Sequence, residues 1–189
     1  MDDIVRQAIA KWPHVPHCFG WLGLDMRGQW FLRDDEAQAQ GPFATDGDGT
    51  PRSKGTLLEH DKLIAFIGRN YETDATGQWF FQNGPQRVYV ELEAAPWVWR
   101  LTPTAGRLQV HTHTGRDAEV QGCVLDEQGR LYLHTPVGLG IVHTQDVLLA
   151  AQAIEAGEWK PQEILAADLP SRFGFVRSPQ ARQSRQARP

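Results

Sequence analysis

Three stretches of the chain, "DMRGQWFL" at 25–32, "DATGQWFF" at 74–81 and "DEQGRLYL" at 126–133, repeat one phrase: Asp-x-x-Gly, a polar residue, then an aromatic or leucine-rich run. An aspartate opening a four-residue turn can accept local backbone N–H bonds, and a glycine closing it takes positive φ at low cost. Each copy therefore reads as a hairpin turn feeding a strand. After the second copy Pro85 precedes the alternating "RVYVEL", and after the third Pro136 precedes "LGIVH", so the two segments run parallel for about 20 residues and point to duplicated structural units. A propeller would not tolerate the helical segments between the copies. The expected fold is α+β: two related halves, each with antiparallel hairpins packed by a helix, plus N-terminal and C-terminal helices. It is expected as a single domain over residues 1–170, with subunits of about 1–103 and 104–170, followed by a basic, disordered tail at 171–189.

Hydrophobic spacing places the elements. Ile4, Val5, Ala8, Ile9 and Trp12 predict a helix over 3–12, capped by Asp2 or Asp3 and stopped by Pro13 and Pro16. Thr56 and Glu59 have the spacing of a capping box, opening a helix that carries Leu63, Ile64 and Ile67 on one face and ends near Asn70. In "RVYVEL", Val88, Val90 and Leu92 alternate with Arg87, Tyr89 and Glu91, which predicts one buried face and one facing solvent or a ligand. "RLQVHTHT" and "EVQGCVL" read as a hairpin closed by "GRDA". Thr144 is expected to cap a helix that Gly157 stops, and Pro161 to begin a last short helix. Residues 40–55 read as a surface loop. An EF-hand beginning at Asp46 would need Gly and Glu where Pro51 and Leu57 stand, and "SKGT" has a phosphate loop's order reversed.

Charge and composition exclude several functions. Residues 171–189 hold five arginines and no acid, so the first 170 residues carry 14 bases against 23 acids, a balance of −9 that disfavours nucleic acid and anionic membranes. No apolar run approaches the ~20 residues of a spanning helix. The acids in "MDDIVRQ" stand where a secretory signal has Lys or Arg, so a cytoplasmic location is expected. Cys18 and Cys123 are too far apart for a compact metal or redox motif. The segment 178–189 has no apolar side chain larger than alanine, and its removal is expected to leave folding intact.

The runs "CFGWLGLD", "LIAFIGRNY" and "GQWFFQNGPQRVYVELEAAPWV" resemble a proteobacterial family of uncharacterised proteins, classed as a domain of unknown function, over about residues 14–156. More distantly, the order of Asp-x-x-Gly-x-Trp turn, helix, aromatic strand and "EAAPW" is similar to another uncharacterised bacterial family with repeated α+β motifs and a proposed signalling role. The resemblance implies a fold and supplies no catalytic residues.

Chemistry-bearing candidates are few. On a strand His111 and His113 share a face, and a register setting Val110 against Val124 would bring Cys123 beside His111, a ligand set suited to zinc or a thiol–imidazole pair. "HVPHC" gathers His14, His17 and Cys18 but reads more simply as a helix stop and extended linker. Glu91 and Glu93 share a strand face. There is no Gly-x-Ser-x-Gly elbow, and "GLGIVH" leads into a strand, unlike a dinucleotide turn. Trp30, Trp79, Phe80, Phe81, Trp97 and Trp99 at strand spacing read as core. The leading expectation is a non-catalytic, cofactor-free module, monomeric or homodimeric, that binds a small molecule or protein partner through Arg87, Tyr89 and Glu91. The alternative is a metal-binding protein or metalloenzyme using His111, His113 and perhaps Cys123.

Overall fold

The structure, a computed structural model, describes residues 1–12, 14–43, 51–104 and 107–186. The chain is α+β and divides into two compact units. The first holds Met1–Asp25, Gln29–Glu93 and the chain from Phe175 on. The second holds Met26–Gly28 and Ala94–Gly174.

The first unit contains α1 (Asp3–Lys11), β1 (Cys18–Leu24), β2 (Trp30–Leu32), α2 (Asp35–Ala39), β3 (Thr56–Leu57), α3 (Asp61–Arg69), β4 (Tyr71–Thr73), β5 (Trp79–Asn83), β6 (Gln86–Leu92) and α6 (Pro179–Gln186). Its sheet has the order β3-β2-β1-β6-β5-β4. The second contains β7 (Trp97–Thr104), β8 (Arg107–Thr112), β9 (Asp117–Ala118), β10 (Gly122–Asp126), β11 (Leu131–Thr135), β12 (Gly138–Val142), α4 (Val147–Glu155), β13 (Gln162–Ile164) and α5 (Leu169–Phe173). Its sheet runs β13-β10-β11-β12-β7-β8-β9.

The two sheets share one wiring. Two antiparallel triplets, β3-β2-β1 and β6-β5-β4, meet through the parallel pair β1·β6; likewise β9-β8-β7 and β12-β11-β10 meet through the parallel pair β7·β12. The duplication seen in the repeats is thus a duplication of sheet topology. The expected boundary near residue 103 falls instead between Glu93 and Ala94, because "WVWRLTP" enters the second sheet as a central strand.

The repeated turns are built alike. Asp74 Oδ1 accepts the N–H of Thr76 at 2.8 Å and of Gln78 at 3.1 Å, and Asp126 Oδ1 accepts those of Gln128 at 3.0 Å and Arg130 at 2.8 Å. Asp25 Oδ1 accepts from Gln29 at 2.8 Å. Gly28, Gly77 and Gly129 lie at φ +77, +79 and +74. A fourth copy has Thr112 in place of aspartate: its Oγ1 accepts the Arg116 N–H at 3.0 Å, and Gly115 follows at φ +84. Burial pushes the Asp126 carboxyl up, but the N–H and guanidinium of Arg130 outweigh it and hold the pKa below the usual carboxylate value. Gly77→Val, forcing a β-branched residue to positive φ, should cost about 1–3 kcal/mol. A melting temperature equal to wild type would remove the turn's claim to stability.

The aromatic repeats fill the cores. Trp30, Trp79, Phe80 and Phe81 are buried in the first unit and Trp97 and Trp99 in the second. Gly140 lies opposite Trp97 on the parallel ladder, where any side chain would run into Trp99. Asp146 ties the start of α4 to β7, accepting from Arg100 Nε at 2.6 Å and from the Leu101 N–H at 3.1 Å.

Several local expectations give way to longer-range pairing. Thr56 and Leu57 form β3 against Leu32 and Phe31, so α3 begins only at Asp61, with His60 Nδ1 accepting the Leu63 N–H. The Thr56–Glu59 capping box therefore does not form. Pro161 precedes β13, which pairs with β10 in place of a helix. His143 caps the turn before α4 where Thr144 was expected, while Gly157 ends that helix region at φ +76 as expected. The helix-stopping role of Pro13, and residues 44–50 of the expected surface loop, lie outside the described residues. The tail is helical: α6 packs on β1 and β6, with Pro179 buried.

Candidate functional site

The residues chosen from sequence fall in two places. On β6, Arg87, Tyr89 and Glu91 share a face, but they make no open platform. The Arg87 guanidinium lies over the Phe80 ring at 4.5 Å. Tyr89 stacks on Phe19 at 4.5 Å and donates its hydroxyl proton to Asp74 Oδ2 at 3.1 Å. Glu91 is 2% exposed, because α6 covers it and the Gln180 N–H donates to its Oε1 at 2.9 Å. Burial raises the Glu91 pKa, against hydrogen bonds from Ser178 and Gln180 and the charge of Arg33. Of the three, Tyr89 and Glu91 are buried and Arg87 is half-exposed, so the alternation does not make the continuous solvent-facing or ligand-facing strip expected from sequence.

Beside Glu91 lies a group that the sequence did not announce. Arg33 is fully buried: its Nε donates to the Ser53 carbonyl at 2.7 Å, its guanidinium nitrogens to the carbonyls of Gly41 at 2.6 Å and Gly20 at 3.2 Å, and one of them also to Gln180 Oε1 at 3.4 Å. Gln180 Nε2 donates to Gln38 Oε1 at 2.8 Å. Gly20, at φ +79, leaves the space that the Gln180 side chain occupies. With its polar atoms engaged by carbonyls and amides, this network closes the face beneath α6 and holds the helix down. The only hint in sequence is an arginine ending a hydrophobic strand in "WFLRDD".

His111, His113 and Cys123 do not converge. β8 and β10 are separated by β7, β12 and β11. His111 faces Arg100 on one side and Asp117 on the other, while Cys123 faces Leu133, so the expected Val110–Val124 register is not formed. The hairpin closed by "GRDA" becomes instead the Thr112 turn and the short β9. His113 leaves the strand within that turn, and its Nδ1 accepts the Val98 N–H at 3.3 Å. Cys123 is buried, and burial pushes its thiol pKa up against a hydrogen bond from the Lys160 backbone. A neutral thiol away from imidazole is a poor nucleophile. Among the described residues no three His, Cys, Asp or Glu side chains gather as a metal would require. His17, of the "HVPHC" segment, lies edge-on to Tyr89 at 5.9 Å.

What the second unit does offer is a groove of about 870 Å³. One wall is the outer edge of β8 from Arg107 to Val110, and the other is the segment running through β9 from Arg116 to Val120. Val137, from the β11–β12 turn, and Trp159, after α4, add apolar surface. A second cavity of about 400 Å³ shares Val120, Glu158 and Trp159 with it and carries His134, Lys160 and Arg172. The walls come from three separated stretches of sequence, which is why no local motif marks them. Arg107, Arg116 and Lys160 make no ion pair among the described residues, so the cationic groups around these cavities are available to a ligand.

No helix among the described residues is long and apolar enough to cross a membrane. No curated protein matches the chain. Among solved structures it is similar to a DUF1285 family protein from Silicibacter pomeroyi DSS-3, at 12% identity over 80% of this chain and 84% of that one, with a TM-score of 0.47. It is also similar to a DUF1285 family protein from Shewanella baltica OS155, at 15% identity over 70% of this chain and 91% of that one, with a TM-score of 0.46. The profile of DUF2944, described as "Protein of unknown function (DUF2946)", matches residues 1–180, and the chain belongs to that family.

Proposed function

We propose that the chain is a non-catalytic binding module of the bacterial cytoplasm, and that its ligand or partner occupies the groove of the second unit. The observation that carries this reading is the groove itself: about 870 Å³, within the range of ligand sites, with an indole and aliphatic side chains on its walls and the guanidinium groups of Arg107 and Arg116, neither in an ion pair among the described residues. The strip on β6 competes poorly, since Glu91 is covered by α6 and Tyr89 is stacked on Phe19 and bonded to Asp74. A screen of aryl and alkyl carboxylates and N-acetyl amino acids, followed by amide chemical-shift mapping, tests the reading. Shifts should cluster on residues 107–120 and 158–160, and Trp159→Ala should weaken the best hit tenfold or more. Hits that map to the first unit, or that are indifferent to Trp159→Ala, would overturn it.

A further inference from the structure

We infer that the cavity of about 400 Å³ beside the groove is a second ligand site, and that it takes a small aromatic monocarboxylate. The site goes beyond the groove reading and does not depend on it: the two share Val120, Glu158 and Trp159 at their border and nothing else. Strand pairing sets its floor. Gly122 of β10 is level with His134 of β11, and Val124 is level with Gln162 of β13. Residues level on paired strands share a face, as do residues two apart on one strand, so Gly122, Val124, His134 and Gln162 stand on one side of the sheet. That side opens at Gly122. A Cβ placed there would meet nothing within 4 Å, although Val124 and Tyr132, farther along the same face, are buried. A glycine inside a strand marks a place where a ligand can approach the backbone.

The walls carry the chemistry. Arg172 and Phe173 come from α5, which the buried Leu169 anchors. Arg172 Nη2 donates to Gln162 Oε1 at 2.8 Å, and the Phe173 ring lies against that of His134 at 5.4 Å. Because the Gln162 oxygen accepts from Arg172, the amide of Gln162 is oriented to donate from its NH2 group. Lys160 borders the same cavity, and neither it nor Arg172 takes part in an ion pair among the described residues. Guanidinium, ammonium and amide donors suit one carboxylate, and Phe173 and Trp159 offer aromatic surface to a ring attached to it.

Charge and size narrow the class. Glu158 is the one acid lining the cavity among the described residues, so Lys160 and Arg172 leave an excess of one positive charge. Glu163 follows Gln162 on β13 and points to the opposite side of the sheet. A monoanion balances that excess, whereas a phosphate dianion exceeds it and brings no ring. The volume stands near the lower end of the range for ligand sites, which suits a single ring with its carboxylate.

Benzoate is the probe, with benzamide and inorganic phosphate beside it, read by amide chemical shifts of the full chain. Benzoate should shift Gly122, His134, Gln162 and Phe173, and should bind at least tenfold more tightly than benzamide or phosphate. Gly122→Val fills the opening at a position that does not need positive φ, and should weaken benzoate tenfold or more. Arg107→Gln, in the groove, should stay within twofold of wild type. Nuclear Overhauser contacts from the benzoate ring to Phe173 in the wild-type protein place the ligand without relying on the valine variant to fold. Benzoate shifts confined to residues 107–118 would overturn the second site and leave the groove reading standing. Affinity indifferent to Gly122→Val, benzamide or phosphate binding as tightly as benzoate, or no shift at millimolar benzoate would each overturn the aromatic-acid site.

Discussion

A chain ending at residue 177 is expected to lose about 3–6 kcal/mol of stability and about 10–15 °C in melting temperature relative to the full chain. The sequence argues the opposite, since 178–189 is polar and arginine-rich, and such a segment would ordinarily be dispensable. The structure shows why it is not. Gln180 supplies the backbone N–H that Glu91 accepts, the amide oxygen that Arg33 reaches and the amide donor to Gln38. Two of these three bonds involve a buried ionised or ionisable group, the kind worth roughly 1.5–3 kcal/mol each, and the third is a neutral bond of about 1 kcal/mol. Arg182 adds a bond to the Thr76 carbonyl at 3.1 Å. Truncation would also uncover Arg33 and Glu91, so water would compensate part of the loss; hence the middle of the range and not its top. Denaturant unfolding of the 1–177 chain beside Gln180→Ala measures it. The single substitution should account for at least half of the truncation's cost. A truncated chain melting within 2 °C of the full one would show that α6 lies on the sheet without stabilising it.

The tail also illustrates which parts of the fold were legible. The Asp-x-x-Gly turns, the first hairpin, the apolar face and the end of α3 and the stop at Gly157 were readable, because each is decided by residues within a few positions of one another. The parallel pairings of β1 with β6, β7 with β12 and β10 with β13 join segments far apart in sequence, and no local pattern names the partner. The Thr56 capping box failed for the same reason: a competing ladder to Phe31 and Leu32 claimed the residues first. The fourth turn escaped notice because threonine replaces aspartate at its first position. Charged residues were read as exposed, which misplaced Glu91 and missed Arg33, both buried beneath a polar helix. Nor could the groove be foreseen, since its outline depends on where β9 stops.

The second large effect is a loss of stability in mild acid that the carboxylates do not explain. Burial lowers the His113 pKa to about 3. The geometry agrees: Nε2 is enclosed, and Nδ1 accepts the Val98 N–H, so a proton on Nδ1 would displace that donor and bury a charge. The folded pKa lies below the unfolded value of about 6.5, so between the two the unfolded chain binds more protons. His113's contribution is fully present above pH 6.5 and is lost as pH falls toward 3, at about 1.4 kcal/mol per unit, which is roughly 2 kcal/mol by pH 5 and 3 kcal/mol by pH 4. Asp74, Asp126 and Asp146, whose pKa values are also lowered, add their losses only below the ordinary carboxylate range near pH 4. The window between pH 6.5 and 4.5 therefore excludes these three carboxylates, and Glu91, whose pKa burial raises, works against the histidines there because its folded form takes up a proton first and gains stability as pH falls. His17, shifted the same way as His113 by burial and by Arg87, leaves a smaller slope of the same sign as His113. His113→Asn keeps an acceptor near the Nδ1 position without a titrating ring. In urea unfolding across this window the variant should lose most of the wild-type slope while matching its stability near pH 7 to within about 1–2 kcal/mol, the usual cost of a conservative buried change. Parallel losses in the two proteins would place the acid sensitivity elsewhere and show that His113 takes up its proton inside the fold.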